Sequence, residues 1–240
     1  MHGRSSGRDP AQGGAKPGVR RAKAALSATA IKEAAQRLFA ERGYLNTKIT
    51  DILSEADRSA GVFYDHFSSK EALLEAMIAD FQADASARAV EMPCMAEPGA
   101  EHDLSERSHL RDHIAVFWHT YSAHLPVMVA MFQASMVDDG FAHRFGNLLN
   151  TSMLRQHLEY MQRRGATLPG NPALVASALS SMLLQFAYVW LAADGRAPGG
   201  TAEATRPTDD EAIDTLTSLI LYGIVAPMPG SGPLLDQPGG

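Results

Sequence analysis

The stretch that most constrains the fold of this chain is residues 47–70, TKITDILSEADRSAGVFYDHFSSK. Its first half carries apolar side chains at helical spacing and predicts a short helix with one buried face. Asp57 and Arg58 interrupt this pattern, and Ser59 is a suitable N-cap for a second helix of about two turns. Two short helices joined by a tight turn are typical of a helix-turn-helix unit, whose second helix enters the major groove of DNA.

The second short helix has three apolar anchors, and its other side chains are therefore predicted to face outward. These anchors are Val62, Phe63 and Phe67. Ser68 and Glu71 then fit a capping box that opens a third, longer helix. Thr47 is placed to cap the first of the two short helices, where exposed backbone N–H groups favour a phosphate.

The run AGVFYDHFSSKEALLEAM, residues 60–77, resembles the signature of the TetR, or tetracycline-repressor-like, family of transcriptional regulators. An aromatic-Tyr-x-His-Phe pattern followed by Ser-Lys-Glu-x-Leu carries the resemblance, which covers residues 26–81. It implies an all-α chain with an N-terminal three-helix helix-turn-helix DNA-binding domain, followed by a larger helical ligand-binding and dimerisation domain. It also implies a homodimer that binds a palindromic operator and represses until a ligand is bound. Asp57 and Arg58 depart from the Gly-Val that the family usually has there.

The distribution of charge gives a second, independent argument for a DNA partner. Residues 1–70 hold 12 Lys and Arg against 7 Asp and Glu, a balance of +5, although the whole chain carries −6. Every lysine lies at or before Lys70. An electropositive end suits phosphates, whereas the acidic remainder is not expected to bind nucleic acid itself.

The chain divides into four parts at changes in composition. We predict a disordered basic leader over residues 1–25, a DNA-binding domain over 26–72, a helical effector-binding and dimerisation domain over 73–225 and a disordered tail over 226–240. The leader is alternatively a basic arm that reaches DNA. We find no apolar run of about 20 residues and expect no membrane partner. The single cysteine, Cys94, suits a reducing cytoplasm.

The predicted DNA contacts fall into two groups. Phosphate contacts fix the register on the duplex without reading sequence, and we assign them to Thr47, Lys48, Thr50, Tyr64, His66 and Lys70. The family resemblance implies this role for Thr47, Tyr64, His66 and Lys70, although Tyr64 and His66 are alternatively packed between helices. For base readout, Arg58 is the one strong candidate, because Ser59, Ala60 and Gly61 lack long bidentate side chains. Ala60 is able to touch a thymine methyl, and Gly61 allows close approach of the backbone to DNA.

The C-terminal part has an interior rich in Met and aromatic residues, which suggests a deformable cavity for a small lipophilic effector. The candidate lining residues are Phe117, Trp118, Tyr121, Met128, Met131, Phe132, Met153, Met182, Phe186 and Trp190. The alternative for each is ordinary core. Two sets in the last long helices are predicted to form the dimer interface, with internal packing as the alternative. They are the small residues Ala176, Ser177 and Ser180 and the apolar residues Leu216 and Ile220.

Histidines are concentrated over residues 102–124, where His109 and His113 are four apart and able to share a metal. We favour solvated or hydrogen-bonded histidines and predict no metal site and no cofactor. The cluster, His102, His109, His113, His119 and His124, keeps a metal-sensing regulator open as an alternative. A second alternative is a helical interaction protein without DNA binding. No nucleophile elbow or phosphate loop supports an enzyme.

Overall fold

The computed structural model describes residues 17–92, 104–141, 152–192 and 207–224, and all secondary structure in these ranges is helical, which confirms the all-α class. The predicted tail, Cys94, His102 and residues 1–16 of the predicted leader lie outside the described residues. The helices are α1 (Pro17–Arg42), α2 (Ile49–Ala56), α3 (Ala60–Tyr64), α4 (Lys70–Val90), α5 (Arg107–Ala123), α6 (Leu125–Ser135), α7 (Ser152–Arg163), α8 (Pro172–Ala192) and α9 (Asp209–Ile224).

The first three helices and the start of α4 enclose one hydrophobic core, and we call this unit the reader domain. Side chains of α1 at helical spacing, from Ile31 to Phe39, are fully or nearly fully buried. Ile52 of α2 and Phe63 of α3 are 0% exposed and close the core from the other side. Helix α1 begins at Pro17, nine residues before the predicted start, so residues 17–25 of the predicted leader are helical.

Local capping sets where the short helices begin. The Ser59 hydroxyl accepts the Val62 N–H at 3.4 Å and caps α3, as predicted. Helix α4 is capped by Ser69, whose hydroxyl accepts the Ala72 N–H at 3.1 Å. The prediction of Ser68 at this cap was therefore wrong by one residue, because two adjacent serines fit the same sequence pattern.

The turn between α2 and α3 explains the departure from the family pattern at Asp57. This residue has φ 50° and ψ 54°, the left-handed conformation that commonly ends a helix. Glycine adopts it without steric cost, whereas Asp tolerates it at a small penalty. Asp57 is the one residue other than glycine with a positive φ in the described ranges. The turn therefore has the geometry that a glycine would favour, and Asp57 supplies it under mild strain.

Helices α5 to α9 pack around a second core, and we call this unit the helical body. Trp118 of α5 lies at its centre, 0% exposed, and donates its indole N–H to Asp209 at the start of α9 at 2.8 Å. Arg111 of α5 bonds Asp210 at 2.7 Å and Asp214 at 2.9 Å. Helix α9 is thus fixed along α5 by one buried ring and by ion pairs at the surface.

Helix α8 corrects one expectation about apolar runs. Within the described residues this helix alone is long and apolar enough to cross a membrane by length and composition, so the statement that no such run exists was wrong. It begins with Pro172 at its first position, where a missing N–H costs nothing. It packs against α5, α6 and α7, and 28% of its most apolar stretch is buried within the chain.

Helix α6 joins the two units. Val127, Ala130 and Ala134 on one of its faces belong to the reader core, and Gln133 accepts the backbone N–H of Tyr44 at 2.8 Å. Gly43, with φ 80°, ends α1 beside this bond. A Cβ there would lie 3.1 Å from the Gln133 amide oxygen, so the close approach and the positive φ both require glycine.

We expect Asp57→Gly to leave the free energy of unfolding unchanged or slightly higher, because relief of left-handed strain offsets the greater entropy of the unfolded chain. The matched control is Asp65→Gly, since Asp65 has φ −68° and gains no relief. We expect that control to cost about 0.5–1 kcal/mol. Chemical denaturation measures both values. Equal losses in the two variants would contradict strain at Asp57.

A second pair of variants tests the junction between the units. Gly43→Ala and Gly165→Ala both place a Cβ at positive φ, but nothing lies within 4 Å of the Gly165 position. We expect Gly43→Ala to be more destabilising by about 1 kcal/mol, because Gln133 must give up its hydrogen bond to Tyr44. Denaturation gives the energies, and hydrogen exchange at the Tyr44 amide locates the loss. Equal destabilisation with unchanged exchange would refute the contact.

Candidate DNA-binding surface and ligand cavity

The outward side of α3 is formed by short side chains and one aromatic ring. Ser59, Ala60, Gly61 and Tyr64 are exposed, and Tyr64 retains 59% of its accessible surface. The ring of Tyr64 rests edge-on against buried Phe63, with 5.3 Å between centroids. Small residues let the helix backbone approach a duplex closely, while the supported phenol stands at its edge. The predicted outward residues of α3 therefore share one accessible surface.

The start of α2 adds a basic and a hydroxyl group to the candidate DNA-binding surface. Lys48 and Thr50 are exposed, as a phosphate contact requires. The Lys48 N–H bonds the Asp51 carboxylate at 3.1 Å, and that carboxylate lies 3.6 Å from Arg42. An acidic residue in the first turn favours the positive end of the helix dipole and fixes where α2 begins.

The prediction of a phosphate contact at Thr47 was wrong. Its side chain is 1% exposed, and its hydroxyl donates to the Gly43 carbonyl at 2.8 Å. The residue before α2 is Lys48, not Thr47, so Thr47 is not the cap either. A buried hydroxyl needs an internal partner, and Thr47 has one in the loop that follows α1. This threonine fixes the loop instead of reaching outward.

Lys70 is also tied inside the chain. Its ammonium donates to the carbonyls of Tyr44 and Thr47, both at 2.9 Å, and lies 4.1 Å from the centre of the Tyr44 ring. Partial burial lowers the pKa of Lys70, against the opposing attraction of Glu71. These bonds show that Lys70 closes the α1–α2 loop onto α4. Its predicted role as a simple phosphate contact was therefore incomplete.

Arg58 and His66 occupy the two edges of α3. Arg58 is partly buried in the turn and donates to the Asp57 carbonyl at 2.7 Å. His66 is also partly buried, and its ring lies 6.0 Å from that of Phe67. Both side chains border the exposed side of α3. Arg58 must release a local hydrogen bond before it can reach a base.

A cavity of about 240 Å³ lies between α5, α6 and α8. Tyr121 of α5 and Met128 of α6 are nearly fully buried, whereas Ser181 and Gln185 of α8 are exposed. The cavity therefore extends from the core of the helical body to the outer side of α8. Its described lining residues are Tyr121, Met128, Phe132, Ser181, Leu184, Gln185 and Tyr188.

Three of the ten predicted pocket residues line this cavity: Tyr121, Met128 and Phe132. Trp118 and Met131 are instead fully buried core, and the side chain of Met153 lies outside the described residues. The remaining four are partly buried and pack against the core, namely Phe117, Met182, Phe186 and Trp190. The sequence prediction omitted four lining residues on α8, which are Ser181, Leu184, Gln185 and Tyr188. Their helical spacing, 181, 184, 185 and 188, was the signal available in the sequence.

The predicted dimer residues also separate by exposure. Ala176, Leu216 and Ile220 are buried inside the chain, so their assignment to an intermolecular surface was wrong. Ser177 is exposed and Ser180 is partly exposed. The large apolar side chains that do face outward on α8 and α9 are Leu174, Leu219 and Tyr222.

The histidines in the described residues do not assemble a metal centre. No group of three or more His, Cys, Asp or Glu in those ranges is placed to hold a metal ion. His113 contacts the His109 carbonyl at 2.8 Å, His119 lies 3.9 Å from Asp209, and His124 lies 3.1 Å from Asp84. The last of these contacts joins α5 to α4, which gives His124 a structural partner.

Known proteins match most closely in sequence at the reader domain. A family profile described as "Bacterial regulatory proteins, tetR family" matches residues 31–77. The HTH-type transcriptional regulator YuxN of Bacillus subtilis is 48% identical over 48 residues, which is 20% of this chain and 16% of that protein. YerO of the same organism is 58% identical over 38 residues, 16% of this chain and 13% of that protein. The matches thus span a small part of each relative.

Solved structures extend the similarity to the whole fold. FadR, a fatty acid degradation regulator of Bacillus halodurans, has a TM-score of 0.65 at 15% identity and covers 82% of this chain and 95% of its own. A TetR-like regulator from Rhodococcus sp. RHA1 has a TM-score of 0.60 at 22% identity, covering 83% and 96%. A regulator from Saccharomonospora viridis, solved with choline, has a TM-score of 0.59 at 19% identity, covering 84% and 98%.

At these identities the structural similarity shows the fold alone, while the sequence matches concern the reader domain. The two findings agree on one arrangement, a helix-turn-helix unit at residues 31–77 followed by a helical body. The signature residues are those whose placement has been described, with Phe63 and Phe67 in the core and Tyr64 on the outer side of α3. Residues 31–77 thus match the TetR family of bacterial regulatory proteins in sequence, and the described helices resemble those of a TetR-like regulator in fold.

Proposed function

We propose that this protein is a dimeric, DNA-binding transcriptional repressor that releases its operator when a small molecule occupies the cavity of the helical body. The observation that carries the DNA-binding part is the structure of α3. Its bulky residue Phe63 is buried, as is Phe67 just after the helix, whereas its small residues and Tyr64 are exposed. One face of such a helix packs on the core and the opposite face is accessible, as entry into a major groove requires.

The net charge of the N-terminal part of the chain, all of it contributed by residues 1–25, supports the same proposal. Lys48 is exposed at the start of α2, and residues 1–70 carry a net charge of +5. A protein that neutralises phosphates displaces counterions, so its affinity for DNA falls steeply as salt is raised. Arg58 is the proposed base-reading residue, because it is the long bidentate donor at the edge of α3.

The experiment that tests DNA binding is a salt titration of affinity for the duplex upstream of the protein's own gene. We expect Lys48→Ala to weaken binding to every duplex and to reduce the salt slope by about 1. Arg155→Ala on α7, an exposed basic residue of the body, is the control and should leave affinity unchanged. No binding to any duplex at low ionic strength would favour the alternative of a helical interaction protein.

Dimerisation is proposed from the outer surfaces of the last two helices. Helix α8 is strongly apolar yet only partly covered by its own chain, and Leu174 is 72% exposed. Leu219 and Tyr222 of α9 are 55% and 45% exposed. Large apolar side chains exposed in this way mark a surface that a partner commonly covers. A second copy also supplies the second reader domain that a palindromic operator needs.

Leu219→Glu should convert the dimer to monomer, because a carboxylate buried in an apolar interface lacks a partner. The matched control is Val90→Glu on α4, which is 72% exposed and lies away from α8 and α9. Sedimentation equilibrium measures the mass of both variants, and operator affinity should fall only for Leu219→Glu. A dimer that survives Leu219→Glu would exclude this surface.

The route from cavity to reader domain is proposed to run through α6. Met128 and Phe132 line the cavity, while Val127, Ala130 and Ala134 belong to the reader core. Displacing one face of a short helix moves the other, because packed interiors do not deform continuously. A ligand then changes operator affinity by preferring one placement of the reader domains over another. The choline in the Saccharomonospora viridis regulator supports a small-molecule ligand in this fold.

A further inference from the structure

The chemistry of the cavity is more specific than a lipophilic pocket. Its described lining combines three aromatic rings and two aliphatic side chains with one hydroxyl and one amide. Two of the rings are phenols, so four side chains offer a hydrogen-bonding group. Ser181, Gln185 and Tyr188 follow one another along a single face of α8, about one turn apart. The apolar groups Met128 and Phe132 face them from α6.

We infer that the ligand of this cavity is a compact molecule of about one ring, uncharged or cationic, carrying a hydroxyl or carbonyl group that hydrogen-bonds Tyr121 or the polar face of α8. The inference rests on the proposed function only in taking this cavity to be the effector site. It excludes carboxylates of the same size.

The volume of the cavity sets the size of the ligand. An engineered cavity of about 150 Å³ in another protein holds one benzene molecule. At about 240 Å³, this cavity has room for one ring with a short substituent. The ring fits among the apolar groups Met128, Phe132 and Leu184, and its substituent lies within a lining that offers Tyr121 at the buried end and Ser181 and Gln185 at the exposed end.

The charge of the ligand follows from the absence of ions among the described lining residues. None of those seven side chains is acidic or basic. An anion transferred here would lose its hydration without a counter-charge, which costs far more than hydrogen bonds to neutral groups return. The three aromatic faces attract a cation instead, so the lining disfavours an anion and not a cation.

Tyr121 supplies the buried polar contact. Its side chain is 3% exposed, and burial together with the nearby Tyr188 raises the pKa of Tyr121 above its usual value. The phenol therefore remains protonated at neutral pH and is able to donate to a ligand oxygen. The ring of Tyr188 lies 5.1 Å from that of Phe132, so this phenol is oriented by an aromatic neighbour.

The test uses the full-length protein and two probes built on one ring, benzyl alcohol and benzoate. Titration calorimetry and thermal unfolding measure binding of each. We expect benzyl alcohol to bind and raise Tm, and benzoate to bind at least ~10-fold more weakly. Equal or tighter binding of benzoate would overturn the inference, as would failure of benzyl alcohol to bind.

Two variants connect the binding to the cavity. Tyr121→Phe should weaken benzyl alcohol by about 3–10-fold through loss of one hydrogen bond. Tyr160→Phe on α7 is the matched control, because its hydroxyl bonds Arg164 at the surface and does not line the cavity. Leu184→Trp should abolish binding by filling the space, with near-ultraviolet circular dichroism to confirm folding. Unchanged affinity in both Tyr121→Phe and Leu184→Trp would place the ligand elsewhere.

DNA binding measured on the same preparation separates the inference from the proposed function. If benzyl alcohol binds as expected but no duplex does, the proposed regulator is wrong and the ligand class stands. If a duplex binds and benzoate displaces benzyl alcohol as the preferred ligand, the regulator stands and the ligand class is wrong.

Discussion

The backbone of Tyr44 is held from two sides, and the relation between the two units depends on it. Gln133 of the helical body accepts its N–H, and Lys70 donates to its carbonyl. Its ring packs against Phe39 of α1 and Phe141 of the body, with centroids 5.4 Å and 6.5 Å apart. A single loop residue thus meets α1, the start of α4 and the end of α6. Because buried backbone groups are costly to leave unpaired, these contacts define one preferred position of the reader domain relative to the helical body.

Electrostatic interactions at the start of α4 further stabilise this position of the reader domain. The Tyr44 hydroxyl donates to Glu71 at 3.3 Å. Although partial burial acts in the opposite direction, hydrogen bonds from its own backbone N–H, Ser69 and Tyr44 hold the pKa of Glu71 below its usual value. The carboxylate is therefore ionised beside the ammonium of Lys70, at the positive end of a helix. Lys70, the basic residue of the signature, therefore stabilises the fold through its bonds to the carbonyls of Tyr44 and Thr47.

Sequence reasoning recovered the features that local chemistry determines. The stripe of α1, the Ser59 cap and the buried Phe63 follow from periodicity and hydrogen-bonding preference, and the structure confirms them. It failed where the outcome depends on distant partners. Thr47 is buried because its hydroxyl donates to the carbonyl of Gly43, four residues earlier. Leu216 is buried because α5 covers it. Helical spacing shows that one face is apolar but not whether the same chain or another molecule covers it.

Helix α6 has eleven residues and serves two cores at once. Any replacement at Phe132 changes the cavity and stands one position from Gln133, whose amide holds the reader domain. Ser181 and Gln185 of α8 are not constrained in this way, since they line the cavity and do not belong to the reader core. The α8 side of the cavity is consequently free to diverge in sequence, while α6 is constrained to keep its shape because it also serves the reader core.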